Sequence, residues 1–337
     1  MKNILVVNVN WLGDVIFSSP VFKAIKENYP QAHVACLAVP RVKEVLESIP
    51  GIDEIIIYDE KGAHRTPWAK WKLITELRLR QFDIAFLLHG SLTRALLVFL
   101  AKIPKRVGYP TKGRAWLLTH QVKELPNEVH RCDYYLNVIE DFIKVKDRSC
   151  VLEVSAEAQE EVNQFFRARE LDPNEPFLII NVGGNWDLKR WPKENFKQLV
   201  NRLREDHPNL RIVLPGGAQD SQLAEFVAGP AQRELRPVIL TGETNLKELI
   251  ALMKKAKLVV SADSGPLHIA NAVGTPTVGL FGPTRPEITG PRGKGRTTLL
   301  HKEIGCNQAP CYYLECPDNM CMKAITVDEV VGVIKQI

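Results

Sequence analysis

At 337 residues the chain is too long for one ordinary hydrophobic core and suits two domains of common size. Its composition, 45% hydrophobic and 25% charged, is that of a soluble globular protein. A net charge of +5 fits acidic ligands or an anionic membrane surface and is too small to indicate nucleic acid by itself.

The opening residues, MKNILVVNVNWLGDV, are apolar only in short stretches broken by Asn8, Asn10 and Asp14. They lack the long apolar run and small-residue cleavage site of a signal peptide. The most apolar later stretch, Ala95 to Ala101, is far below the roughly 20 residues needed to span a bilayer. The chain therefore reads as cytoplasmic, with peripheral membrane contact left open.

In chain order, Ile4–Val9 is a continuous apolar run, as in a buried parallel strand. A loop at Leu12-Gly13-Asp14 follows, then one helix with Pro20 in its first turn, ending near Tyr29-Pro30. His33–Leu37, Glu54–Tyr58 and Ile84–Leu88 read as further strands, with helices at 41–48 and 68–80 between them. The charged stretch 147–175 reads as a helix plus linker. The same order then restarts: strands at Phe177–Val182, Arg211–Leu214, Val238–Leu240 and Leu258–Ser261, helices at 192–206 and 246–255, and a last helix over 326–337. Two runs of βα units predict two doubly wound α/β domains, 1–165 and 175–324, followed by a C-terminal helix, 325–337, with the option of packing back toward the first domain. Ligands in such sheets gather at the carboxyl ends of strands. The candidate loops are thus 10–14, 183–190, 215–220, 241–244 and 262–267, with both domains contributing to a cleft.

Several common chemistries lack their motifs. No G-x-G-x-x-G follows the first strand, no G-x-x-x-x-G-K-[ST] occurs, and neither H-E-x-x-H nor G-x-S-x-G is present. What remains is a set of strand-end loops. Asp14, after Gly13, is either a helix N-cap or a general base placed where ligands gather. Residues 183–192, GGNWDLKRWP, pair flexible backbone amides with a cation, which suits a pyrophosphate; the alternative is a surface turn with Trp191 under Pro192. In SADSGPLHIANAVGTPTVGLFGPT (261–284), the amides of Ser264–Leu267 open a helix and can hold an anion. Asp263 is there either a cap or a ligand group, and His268 either a buried hydrogen-bonding residue or a contact. Seven cysteines are present, and Cys306, Cys311, Cys316 and Cys321 recur at every fifth residue. That spacing differs from the usual structural zinc pairs, so metal binding, reduced thiols and local disulfides all stay open.

Taken together these residues resemble glycosyltransferase family 9, the bacterial lipopolysaccharide heptosyltransferases, most of all its type II branch. The motifs are G-D-V-x-x-x-x-P at Gly13–Pro20, K-R-W-P at Lys189–Pro192, G-E-T at Gly242–Thr244, D-S-G-x-x-H at Asp263–His268 and F-G-P-T at Phe281–Thr284. The resemblance implies a GT-B architecture, two Rossmann-like domains facing each other across a cleft, with acceptor bound by the first and nucleotide sugar by the second. It implies inverting transfer of heptose from ADP-heptose to the lipid A-linked inner core, at the cytoplasmic face of the inner membrane, with no cofactor and no metal.

By position, Asp14 matches the family's base and Lys189 the cation that meets the leaving diphosphate. Gly13, Gly183, Gly184, Asn185, Ser264, Gly265, Leu267 and His268 fall on the donor loops. Asp263 matches a carboxylate that accepts hydrogen bonds from donor hydroxyls, Thr244 lies near the adenine region, and Asp220 is a candidate for the ribose. The phosphorylated acceptor calls for cations, with Arg65, Arg94 and Arg114 as candidates and the last two preferred. The alternatives are a GT-B transferase or epimerase using another nucleotide sugar, and a binding protein whose cysteines hold zinc and whose sugar site is vestigial.

Overall fold

A computed structural model describes residues 1–230, 236–306, 311 and 315–336. The chain divides into two units, Met1–Glu153 and Val154–Ile337.

In the first unit the six strands are β1 (Asn3–Val7), β2 (His33–Ala38), β3 (Glu54–Ile57), β4 (Ile84–Leu87), β5 (Lys105–Gly108) and β6 (His120–Gln121). All pair in parallel, in the order β3-β2-β1-β4-β5-β6. The central strand β1 is buried along Ile4–Val7, which explains its unbroken apolar run. The order reverses between β1 and β4, so the loops that leave Val7 and Leu87, which are in register, lie side by side.

The helices are α1 (Leu12–Phe17), α2 (Ser19–Asn28), α3 (Lys43–Leu46), α4 (Pro67–Leu79), α5 (Leu92–Leu100) and α6 (Arg131–Leu136). The single helix expected after Asp14 is broken at Ser18. There the Ser18 and Ser19 hydroxyls donate to the Val15 and Ile16 carbonyls, each at 2.7 Å, and Pro20 opens the second helix without a backbone N–H. Neither α5, β5, β6 nor α6 was among the expected elements.

In the second unit the strands are β7 (Phe177–Asn181), β8 (Arg211–Gly216), β9 (Val238–Thr241), β10 (Leu258–Ala262), β11 (Thr277–Phe281) and β12 (Thr297–His301), again parallel, in the order β12-β11-β10-β7-β8-β9. Its helices are α7 (Ala156–Arg167), α8 (Lys193–Asp206), α9 (Ser221–Ala228), α10 (Leu246–Lys255), α11 (Gly265–Ala272), α12 (Pro286–Thr289), α13 (Met320–Lys323) and α14 (Val327–Ile334). The reversal falls between β10 and β7, where Ser261 and Asn181 are in register.

The helix α7, all but two residues of which fall in the expected first domain 1–165, belongs to this unit. Its Phe166 is buried against Phe177 of β7, ring centroids 5.3 Å apart. The C-terminal helix α14 also stays here: Val330 and Val331 join the core with α8, and Trp191 Nε1 donates to the Ile325 carbonyl at 2.9 Å.

Candidate functional site

In the first unit, β1 delivers the chain to Asn10, Trp11 and the first turn of α1, where Gly13 and Asp14 sit. Asp14 is not the helix cap: Trp11 holds that position, with no side-chain cap bond. The Asp14 carboxylate instead accepts the Tyr135 hydroxyl on Oδ1 at 2.6 Å, and Arg131 Nε lies 3.6 Å from the same oxygen. Among the described residues no group donates to Oδ2. Tyr135 is buried; burial first, and then the Asp14 charge, push its phenol well above the usual range, so it acts as a donor. A carboxylate with one oxygen fixed and the other open can accept a proton from a bound hydroxyl.

The loop before Asp14 is tied at Asn10. Its carbonyl accepts from Arg41 Nε at 2.9 Å, its Oδ1 from Arg94 Nη2 at 2.7 Å, and its amide nitrogen lies 3.1 Å from His89 Nε2. Arg94, 1% exposed, also donates to the Asn8 carbonyl at 2.6 Å. Arg114, 0% exposed, donates to the carbonyls of Tyr109 and His89. Burial makes both guanidinium groups less basic than usual. Both cations preferred for acceptor contact therefore face inward and hold the strand-end loops, whereas Arg65 is exposed. His89 is pulled down to about 4, by burial first and then by the charges of Arg94, Lys112 and Arg114. It is a neutral ring at the meeting of two loops.

In the second unit the reversal between β7 and β10 brings residues 183–190 beside 262–267. Asp263 is not a cap either; Ser264 occupies that position ahead of α11. The Asp263 carboxylate, 4% exposed, accepts from Lys189 Nζ and Thr284 Oγ1, each at 2.6 Å, and from Thr289 Oγ1 at 3.2 Å, all on Oδ2; His268 Nε2 lies 3.3 Å from Oδ1. Burial opposes its ionisation, but the His268 bond and the Lys189 charge outweigh burial and hold the carboxyl far below the usual range. Lys189 is half-buried and lies 5.2 Å from the centre of the Trp186 ring. Asn181, on β7, donates to Ser261 Oγ at 3.0 Å and Ser264 Oγ at 3.3 Å, which fixes the start of α11.

Asp220, the candidate for the ribose, ties two loops of the second unit together. It is 5% exposed, accepts from the Gly217 N–H at 3.0 Å and lies 3.6 Å from Arg190 Nη2. A Cβ on Gly183 would meet its Oδ2 at 2.5 Å, so glycine is required there for this carboxylate to tie the 183 loop to the 217 loop. Arg190 also donates to the Gly184 carbonyl.

The profile of glycosyltransferase family 9 (heptosyltransferase) matches residues 70–317. The chain belongs to glycosyltransferase family 9. It is 30% identical over 309 residues to lipooligosaccharide heptosyltransferase 2 of Haemophilus influenzae, covering 88% of each chain. It is 28% identical to lipopolysaccharide heptosyltransferase 2 of Escherichia coli, over 86% of this chain and 85% of that one. Its structure is similar to that of E. coli ADP-heptose lipopolysaccharide heptosyltransferase II, TM-score 0.82 and 24% identity, covering 100% of this chain and 98% of that one. A family 9 glycosyltransferase from Veillonella parvula gives TM-score 0.84 and 24% identity, covering 99% and 96%. The fold is thus GT-B, two Rossmann-like doubly wound units, and the protein is a glycosyltransferase of the heptosyltransferase family.

The remaining family 9 positions are less tightly gathered. Asn185 is exposed, and Gly184, Thr244 and Gly265 are partly exposed in their loops. Leu267 is fully buried, and its N–H is given to the Ser264 carbonyl at 3.1 Å. Cys306, Cys311, Cys316 and Cys321 are free thiols; among the described residues no group of three or more His, Cys, Asp or Glu is placed to hold a metal ion. Likewise, no helix among them is long and apolar enough to cross a membrane. Sequence reasoning missed Tyr135, Arg131, His89, Thr289 and Thr284 as site residues, and placed Asn10 in a candidate loop without giving it a role. Only Thr284 had a signal, as the last residue of F-G-P-T.

Proposed function

We propose that the protein transfers heptose from ADP-heptose, with inversion, to a hydroxyl of the lipid A-linked inner core of lipopolysaccharide at the cytoplasmic membrane face. The observation that carries this reading is the kinship to heptosyltransferase 2 enzymes over most of both chains. In the reaction the acceptor oxygen forms a bond to the anomeric carbon as the bond from that carbon to the β-phosphate oxygen breaks. The hydroxyl proton passes to Asp14 Oδ2, and ADP departs with the bonding electrons.

The site chemistry supports each part. Tyr135 and Arg131 hold Asp14 Oδ1 and leave Oδ2 facing the acceptor hydroxyl. Lys189 can transfer from Asp263 to the diphosphate, where negative charge grows in the transition state. The Ser264 and Gly265 N–H groups, at the positive end of α11, suit the same anion; Pro266 has no N–H and that of Leu267 is given to the Ser264 carbonyl. Asp263 keeps three other donors when Lys189 leaves, so it stays ionised to accept donor hydroxyls. Arg65 remains the exposed candidate for acceptor anions.

The test is a binding panel of ADP-, UDP- and GDP-linked sugars, followed by transfer from ADP-heptose to purified core acceptor with the product's anomeric configuration read by NMR. Preference for ADP-heptose and an inverted linkage are expected. Preference for another nucleotide overturns the donor, and retention overturns the mechanism.

A further inference from the structure

The helices α4 and α5 and the turn at Ala115–Leu117 lie over one face of the first sheet, with Leu73, Ile74, Leu77, Ala95, Leu97, Val98 and Leu117 in its core. Their outer sides should be polar. They are not. On α5, Leu92, Leu96 and Phe99 recur at spacings of four and three and form an exposed stripe on one side of the helix. Trp116, 66% exposed, stands edge-on to Phe99 with ring centroids 5.9 Å apart, extending that stripe. Trp68 and Trp71, 79% and 50% exposed, lie on the outer side of α4, which packs beside α5.

The same segment is strongly basic. Residues 61–123 hold thirteen Lys and Arg against two acidic residues, so the rest of the chain is net acidic although the total is only +5. Lys72, Arg78, Lys102 and Lys112 are exposed there, and none is in an ion pair among the described residues.

Exposed tryptophan beside free lysine is the chemistry of a bilayer interface. Indoles settle at the headgroup level, and Lys and Arg are drawn to anionic lipid. A protein partner fits less well, because lysine is depleted in protein–protein interfaces. We propose that the α4–α5 face of the first unit docks on an anionic lipid surface, with Trp68, Trp71, Leu96, Phe99 and Trp116 entering the headgroup layer and the surrounding cations meeting lipid phosphates. This deepens the reading of a membrane-borne acceptor and rests on it, but its test needs no transfer activity.

The full chain is floated with phosphatidylglycerol/phosphatidylethanolamine vesicles and, separately, with phosphatidylcholine vesicles, over a range of salt. The expected result is binding at least tenfold tighter to the anionic vesicles, weakening with salt. Leu96→Glu/Phe99→Glu and Lys72→Glu/Lys102→Glu each reduce it at least tenfold, while Phe226→Ala, an exposed apolar site in the second unit, leaves it unchanged. Circular dichroism and melting temperature confirm that each variant is folded. Equal binding to both vesicle types, or binding unaffected by the two double variants, overturns the proposal. Self-association of the chain that these substitutions abolish, without vesicle binding, also overturns it in favour of a second copy. Vesicle binding without heptosyl transfer fails the functional reading alone; transfer to a soluble core acceptor without vesicle binding fails the docking alone.

Discussion

Lys189 Nζ lies 2.6 Å from Asp263 Oδ2, so the cation assigned to the leaving diphosphate and the carboxylate assigned to the donor's hydroxyls are partners. A buried carboxylate next to a phosphate site would repel its ligand; here Lys189 offsets the charge and the Thr284, Thr289 and His268 donors hydrogen-bond both oxygens. Replacing Lys189 by Ala removes one charge-assisted bond, about 1.5–3 kcal/mol, and should raise the ADP-heptose Kd roughly ten- to hundredfold while turnover falls as well. Isothermal titration and initial rates check this, and unchanged values for both remove Lys189 from the site.

Asp14 is expected to act on the chemistry and not on donor binding. Asp14→Ala should lower kcat by about 10²–10⁴, the usual range for a lost general base, with ADP-heptose binding within twofold of wild type. Turnover at the wild-type rate removes the assignment.

Tyr135 holds Asp14 from a helix 121 residues away in sequence. Tyr135→Phe keeps the buried ring and deletes the donor, a loss of about 1.5 kcal/mol. We expect kcat to fall roughly tenfold with the KM for ADP-heptose unchanged. A rise in KM alone would instead place Tyr135 in donor binding.

The buried strands were legible because parallel strands covered on both faces appear as unbroken apolar runs, as at Ile4–Val7 and Leu258–Ala262. The strand-end rule then pointed to the loops around Asp14, Lys189 and Asp263. Less could be read where the signal is not local. The run Ala95–Ala101 reads only as a stretch too short to span a membrane, although nearly all of it lies in a nine-residue helix, Leu92–Leu100, with one face in the core. Asp14 and Asp263 each looked like a cap because a cap differs from its neighbour only in backbone geometry: Trp11 and Ser264 take those positions. Arg94 and Arg114 looked like surface cations because nothing in sequence shows that the carbonyls of Asn8, His89 and Tyr109 converge on them.

Gly183 tests the loop architecture of the second unit. In Gly183→Ala the new methyl carbon would sit 2.5 Å from Asp220 Oδ2, inside van der Waals contact. The Asp220 carboxylate must shift, straining its bond from the Gly217 N–H and its approach to Arg190. A destabilisation of about 1–3 kcal/mol is expected, with weaker ADP-heptose binding. Thermal denaturation reads the first and titration the second; a wild-type melting temperature would show that the Asp220 tie is slack.

His89 should give the first unit a pH signature. Its folded value is about 4 against 6.5 for the free side chain, lowered by burial and then by the Arg94, Lys112 and Arg114 charges. Between these values the unfolded chain binds a proton that the folded chain does not, so stability falls as pH falls. The contribution is fully present above pH 6.5 and is lost progressively as pH drops from there toward 4. His89→Gln removes the titrating group, so its melting temperature should decline less steeply than wild type across that window, even where its stability at neutral pH is lower. Parallel declines for the two proteins would mean that the His89 ring accepts a proton in the folded state as readily as in the unfolded one, and that the neighbouring cations do not act on it.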